Sequence, residues 1–139
     1  MQANDIMTRQ PSCCLPSDPV RKAARIMLEE DVGEVPVVDD RRKLLGVITD
    51  RDIVTRCVAV GEAVPSAVVD TYMTAPALWL REEASLEEVA DLMADQAVRR
   101  VPIVDQDGCL SGIVALADLD STHARSLKER VLESVSVPH

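Results

Sequence analysis

A threonine and an aspartate three residues apart, Thr49 and Asp52, close the heptad GVITDRD at 46–52 and put a hydroxyl and a carboxylate within one helical turn. A hydroxyl beside the unpaired backbone N–H groups of a helix start suits a phosphate. A carboxylate in that turn can accept both hydroxyls of a ribose. The same two residues are also good helix caps, threonine at the N-cap and aspartate in the first turn, and their spacing leaves both readings open. A second heptad, GIVALAD at 112–118, keeps the frame and its aspartate, Asp118, but has Ala115 in place of the threonine. Arg51, between Asp50 and Asp52, is placed to turn toward a phosphate or to lie exposed on a helix. Arg99 and Arg100 form a basic pair, whereas the equivalent first-copy residues are Gly33 and Glu34. Guanidinium groups favour phosphate and carboxylates oppose it, although both arginines could equally be solvated or paired with acidic side chains.

The elements that position these residues follow from an internal repeat. Sliding the chain by 66 residues aligns Met7-Thr8 with Met73-Thr74, Val35-Pro36 with Val101-Pro102, Gly46 with Gly112 and Asp52 with Asp118, without a gap. In the first copy Asp18 reads as an N-cap with Pro19 at the first helical position, followed by Val20, Ala23, Ala24, Met27 and Leu28 at helical spacing. In the second, Ser85 and Glu88 form a capping-box pattern ahead of Val89, Leu92 and Met93. Each helix leads into two β-branched runs, EVPVVDD and LLGVIT or RVPIVDQ and LSGIVA, which read as a β-hairpin. Asp107-Gly108 supplies a turn dipeptide in the second hairpin, while Arg41-Arg42 must turn without glycine, so a longer or looser connection is expected there. A further helix should follow each hairpin, over 50–60 with Gly61 as its stop and over 116 to about 134. The organisation expected is a first repeat at 1–60, a connector at 61–70 and a second repeat at 71–139 with a C-terminal helix.

Composition narrows the function. At 139 residues and 47% hydrophobic content, the chain can bury a core without disulfides or metal, and no apolar run is long enough to span a bilayer. A net charge of −9 argues against nucleic acid, whose binding relies on neutralising phosphates with lysine and arginine. The N-terminal segment lacks the features of a secretory signal, so the cytoplasm is the expected location. Cys13, Cys14, Cys57 and Cys109 include no C-x-x-C pair, and with His123 and His139 they suggest buried thiols over a zinc site. No nucleophile elbow, catalytic histidine motif or Walker-type loop is present, so the chain is not expected to be an enzyme.

Taken together, M-T near the start, a capped helix, V-P-h-V-D and G-h-h-T-x-x-D resemble the cystathionine β-synthase (CBS) domain in tandem, the arrangement called a Bateman module. The resemblance runs from about Asp5 to His123. It implies an α/β (α+β) fold of two β-α-β-β-α repeats packed sheet to sheet with pseudo-twofold symmetry, leaving two clefts. It further implies a regulatory module that binds an adenosine nucleotide, AMP, ADP or ATP, with S-adenosylmethionine also in range, and that signals to a separate effector protein, commonly as a homodimer. No catalytic cofactor is implied. The residues that it assigns to ligand are Thr49, Arg51, Asp52, Val35 and Pro36 in the first repeat, and Asp118, Arg99, Arg100, Val101 and Pro102 in the second. Trp79, at the repeat position of Cys13, either stacks on a base or covers apolar surface. The competing function is a structural dimerisation or partner-binding module with empty clefts, redox-responsive through its cysteines.

Overall fold

Helix α2 (Val20–Glu30) starts one residue later than its sequence suggests. Pro19 is extended, with φ −66° and ψ 145°, because it bridges Val68 while Val20 N–H donates to Ala67 and Val69 N–H donates to Asp18. Asp18 is therefore not the cap. Its carboxylate accepts from Leu15 N–H at 2.7 Å and pairs with Lys22 at 3.0 Å. Helix α5 (Leu86–Gln96) has the expected capping box, Ser85 Oγ accepting from Glu88 N–H and Glu88 reaching back to Ser85 N–H. Both helices close on a left-handed residue, Asp31 and Ala97, each at φ 54°.

The computed structural model describes residues 1–119 and 125–135. Within these, strands β2 (Glu34–Val38) and β3 (Leu44–Thr49) form one antiparallel hairpin, and β5 (Arg100–Val104) and β6 (Leu110–Ala115) the other, with the same irregularity before Val38 and before Val104. The two turns are built alike, contrary to the expectation of a looser first connection. Asp39 Oδ1 accepts from Arg41 and Lys43 N–H as Asp105 Oδ1 accepts from Asp107 and Cys109 N–H. Arg42 takes φ 66° where Gly108 takes φ 83°. The aspartate of V-P-h-V-D organises the turn, and its two hydrogen bonds hold an arginine in a conformation that glycine adopts freely.

The chain folds as two compact units, residues 12–77 and residues 1–11 with 78–139. In the second-named unit, β1 (Thr8–Arg9) pairs antiparallel with β6, and β4 (Leu80–Arg81) parallel with β5, in the order β1-β6-β5-β4. In unit 12–77 the same pairings appear as single bridges, Thr74 to Val47 and Cys14 to Val37. Each Met-Thr segment thus pairs with the last strand of the opposite repeat. The glycine of each heptad permits this crossing: a Cβ on Gly46 would lie 2.5 Å from the Thr74 carbonyl oxygen, and one on Gly112 would lie 2.8 Å from that of Thr8.

Beyond the hairpins the repeats diverge. In unit 12–77 a short helix α3 (Asp50–Asp52) widens into a π-helical stretch, Ile53–Val58, before Gly61 at φ 82°. After β6 come a 3-10 turn, Leu116–Leu119, and helix α6 (Arg125–Val135); the middle of the expected helix, 120–124 with His123, lies outside the described residues, as does His139. Helix α6 packs on α5, with an Arg130–Asp91 ion pair at 2.5 Å, Leu127 against the core and Val131 fully buried. On α5 this leaves Ala90 and Met93 inaccessible. On α2, where 12–77 has no such helix, the equivalent Ala24 is exposed, Met27 only half-buried and Leu28 83% exposed. The apolar stripe expected on α2 is therefore core only through Val20 and Ala23, with Met27 at its margin.

Candidate functional site

Thr49 and Asp52 meet where β3 runs into α3. Thr49 Oγ1 accepts from Asp52 N–H at 3.0 Å, and Asp52 Oδ2 accepts from Thr49 N–H at 3.0 Å, a complete capping box. Asp52 is the single buried charged side chain among the described residues, at 8% exposure. Its carboxylate has two further neighbours that sequence reasoning did not assign to the site. Thr74 donates its hydroxyl, 3.1 Å from both Asp52 oxygens, and Arg56 Nη1 lies 3.7 Å from Oδ1 while donating to the carbonyls of Tyr72 and Met73. The signal for Thr74 was the Met-Thr pair itself, which repeats at Met7-Thr8. The signal for Arg56 was its i,i+4 spacing from Asp52, whereas its carbonyl partners, 16 and 17 residues away, follow no spacing rule.

Around this box, Asp50 N–H donates to the Gly33 carbonyl, and the Asp50 carboxylate lies so close to Gly33 that a Cβ there would sit 3.1 Å from it. Arg51 is exposed. Glu34 pairs with Thr49 across the hairpin, and Val35 and Pro36 follow it, both buried, with Val35 in the apolar core. Residues 33–36 and 49–52 thus converge at one end of the β2-β3 hairpin.

The equivalent end of the β5-β6 hairpin carries half a box. Asp118 Oδ2 accepts from Ala115 N–H at 2.7 Å, and no hydroxyl returns the bond. Arg100 pairs with Ala115 across the hairpin, and the Arg99 carbonyl accepts from Leu116 N–H. The backbones of both arginines therefore lie beside Ala115 and Leu116, within one unit. Arg100 Nε is buried without a hydrogen-bond partner. Val101 and Pro102 are buried behind them, Val101 in the core. The two ends differ: a buried carboxylate with a hydroxyl cap in one, a less buried carboxylate without that cap in the other.

Other features expected to bear chemistry fall outside these ends. Trp79 is half-exposed with the Arg81 guanidinium 5.8 Å from its ring centroid, a cation–π contact. Cys13 is a half-exposed thiol, and Cys14 and Cys57 are buried ones. Burial, reinforced by the Asp18 carboxylate, pushes the Cys14 thiol up to about 11, which keeps it protonated and weakly nucleophilic at neutral pH. Among the described residues no three His, Cys, Asp or Glu side chains converge as a metal site, and no helix is long and apolar enough to cross a membrane. A groove of about 420 Å³ in unit 12–77 is lined by Pro19, Arg21, Lys22, Arg25 and Pro65, away from Thr49 and Asp52.

The CBS domain family model matches the chain twice, at residues 3–59 and 68–122. The CBS domain-containing protein YhcV of Bacillus subtilis is 40% identical over 115 residues, which cover 83% of this chain and 80% of that one. Among solved structures, hypoxic response protein I with two coordinated zinc ions superposes with a TM-score of 0.79 at 33% identity, covering 86% of this chain and 96% of that one. CBSX2 in complex with AMP gives 0.72 at 30% identity, over 84% and 91%. The CBS domain pair of MJ0100, bound to 5-methylthioadenosine and S-adenosyl-L-methionine, gives 0.74 at 26% identity, over 86% and 96%.

Proposed function

Since the chain belongs to the CBS-domain family and carries two of its domains in tandem, we propose that it is a non-catalytic regulatory module, which binds an adenosine nucleotide and signals its occupancy to a separate effector protein in the cytoplasm. Solved relatives that hold AMP, or 5-methylthioadenosine and S-adenosylmethionine, support the ligand class. The observation that carries the reading here is the buried Asp52 carboxylate beside the Thr49 hydroxyl at a helix start. In this reading Asp52 takes ribose hydroxyls, Thr49 and Arg51 face phosphate, and the backbone of Val35-Pro36 borders the base. Asp118 takes a second ribose, with Arg99 and Arg100 near its phosphate and Val101-Pro102 beside its base. Losing one hydrogen bond to a charged phosphate is worth about 1.5–3 kcal/mol, so the two ends should differ in affinity. Titration with AMP, ATP and S-adenosylmethionine by calorimetry tests the reading. No heat and no thermal shift at millimolar concentration with any of them would refute it.

A second reading, a dimerisation or partner-binding module, is favoured by one observation. Leu28 is 83% exposed on α2, with Val54 and Val58 exposed at 58% and 54% in the same unit. Exposed apolar side chains that join into one patch mark an interaction surface. A homodimer is proposed on this ground, and sedimentation with Leu28→Glu checks it; an unchanged mass would place the exposed leucine outside any self-association.

A further inference from the structure

Asp52 is already hydrogen-bonded before any ligand arrives. A carboxylate offers about four acceptor positions on two oxygens. The Thr49 N–H takes one on Oδ2, and Arg56 approaches Oδ1 at 3.7 Å. The Thr74 hydroxyl lies 3.1 Å from both oxygens, so one donor spans the whole carboxylate edge. A ribose that hydrogen-bonds through both hydroxyls needs one oxygen for each, and the place that they would occupy is the one Thr74 fills. Asp52 is only 8% exposed, so little of its surface is open to an incoming ligand.

We propose that Thr74 is an internal competitor for Asp52: a bound ribose displaces its hydroxyl, and the exchange loosens the Tyr72–Thr74 segment. The inference rests on the nucleotide reading above. Beyond the helix-end bond from Met73 N–H to the Val69 carbonyl, residues 72–74 are tied down at three places, and the carboxylate takes part in two of them. Thr74 exchanges backbone hydrogen bonds with Val47 at 2.9 and 2.7 Å. Its hydroxyl holds the carboxylate, and Arg56 holds the Tyr72 and Met73 carbonyls at 3.2 Å while facing the same carboxylate. Removing the hydroxyl leaves the backbone pair to hold the segment with weaker side-chain support. Three residues further on, at Ala77, the chain leaves this compact unit, so the loosened stretch is the one that leads out of it. The arginine of the device has no counterpart in the second repeat, where the sequence places Thr122 at the position equivalent to Arg56.

The test uses the full chain, AMP as probe, calorimetry and amide hydrogen exchange. Thr74→Val removes the hydroxyl at nearly constant shape, and Thr74→Ser retains it. In the wild type, saturating AMP should raise exchange at residues 72–74, the reverse of the usual ligand protection. Thr74→Val should bind AMP roughly three- to tenfold more tightly, since no internal hydrogen bond has to be broken. It should also show the raised exchange without ligand, while Thr74→Ser behaves as the wild type. If the wild type binds AMP but Thr74→Val binds it equally or more weakly, with Thr74→Ser unaffected, the competitor is overturned and the nucleotide reading stands. If the wild type gives no heat with AMP while the Thr49 and Asp52 variants are equally silent, the nucleotide reading fails and the competitor falls with it.

Discussion

Replacing Gly46 by alanine isolates what the first heptad's glycine is for. Its backbone is not left-handed, so the cost is one of contact, not of conformation. The new Cβ would meet the Thr74 carbonyl oxygen at 2.5 Å and Ala75 Cβ at 3.2 Å. That oxygen is backbone and already accepts from Val47 N–H at 2.9 Å, so relief requires moving the strand. Overpacking of this kind costs about 1–3 kcal/mol, and weakening the two Val47–Thr74 hydrogen bonds adds about 1–2 kcal/mol. Urea unfolding of Gly46→Ala should therefore show a loss of about 2–5 kcal/mol at an unchanged m-value. Amide exchange at 72–74 should rise with it, because the Thr74 hydroxyl is drawn away from Asp52. Gly61→Ala is the control: φ there is 82° with nothing within 4 Å of the new Cβ, so it should cost only the left-handed penalty of about 1–2 kcal/mol and leave 72–74 untouched. A loss below about 1 kcal/mol for Gly46→Ala, with unchanged exchange at 72–74, would refute the close-approach reasoning.

Three further outcomes are expected. Thr49→Ala should lower stability by about 1 kcal/mol through the lost cap and weaken AMP roughly ten- to a hundredfold by calorimetry, while Ala115→Thr should gain a comparable cap beside Asp118. Ala97→Gly should raise the melting temperature by roughly 2–4 °C, because glycine adopts the left-handed helix end at φ 54° without strain. Burial holds the Cys14 proton to about 11 in the folded chain against 9.0 unfolded, so its contribution to stability is full below pH 9 and falls as pH rises toward 11. Alkaline unfolding should be shallower in Cys14→Ala, and iodoacetamide at neutral pH should modify the half-exposed Cys13 before Cys14.

Periodic and paired features were legible in the sequence. The two helices, both hairpins and the frame G-h-h-x-x-x-D were readable because each is set by local spacing, and the offset of 66 residues made every reading in one copy a check on the other. What escaped depends on contacts between distant segments. Asp18-Pro19 looked like a helix start until residues 67–69 drew Pro19 into an extended bridge. Arg41-Arg42 looked too bulky for a tight turn, but the Asp39 carboxylate organises it. Ala24 and Leu28 looked like core because helical spacing says which residues share a face, not whether anything covers it. The pair Thr49 and Asp52 could be found by type and separation, whereas the Thr74 hydroxyl at their centre arrives from 22 residues beyond Asp52.

The exchange of Met-Thr segments also sets an order of assembly. Residues 12–77 are continuous, and their latest pairing, Val47 with Thr74, closes a short loop. The other sheet needs Thr8 beside Ile113, a loop about four times longer. Each doubling of loop length costs about 0.6 kcal/mol of closure entropy, so the longer loop is disfavoured by about 1 kcal/mol before any contact rewards it. During synthesis the first eleven residues must wait, unpaired, while the intervening unit folds from the chain that follows them. Residues 1–11 are thus among the last parts of this fold to find their place.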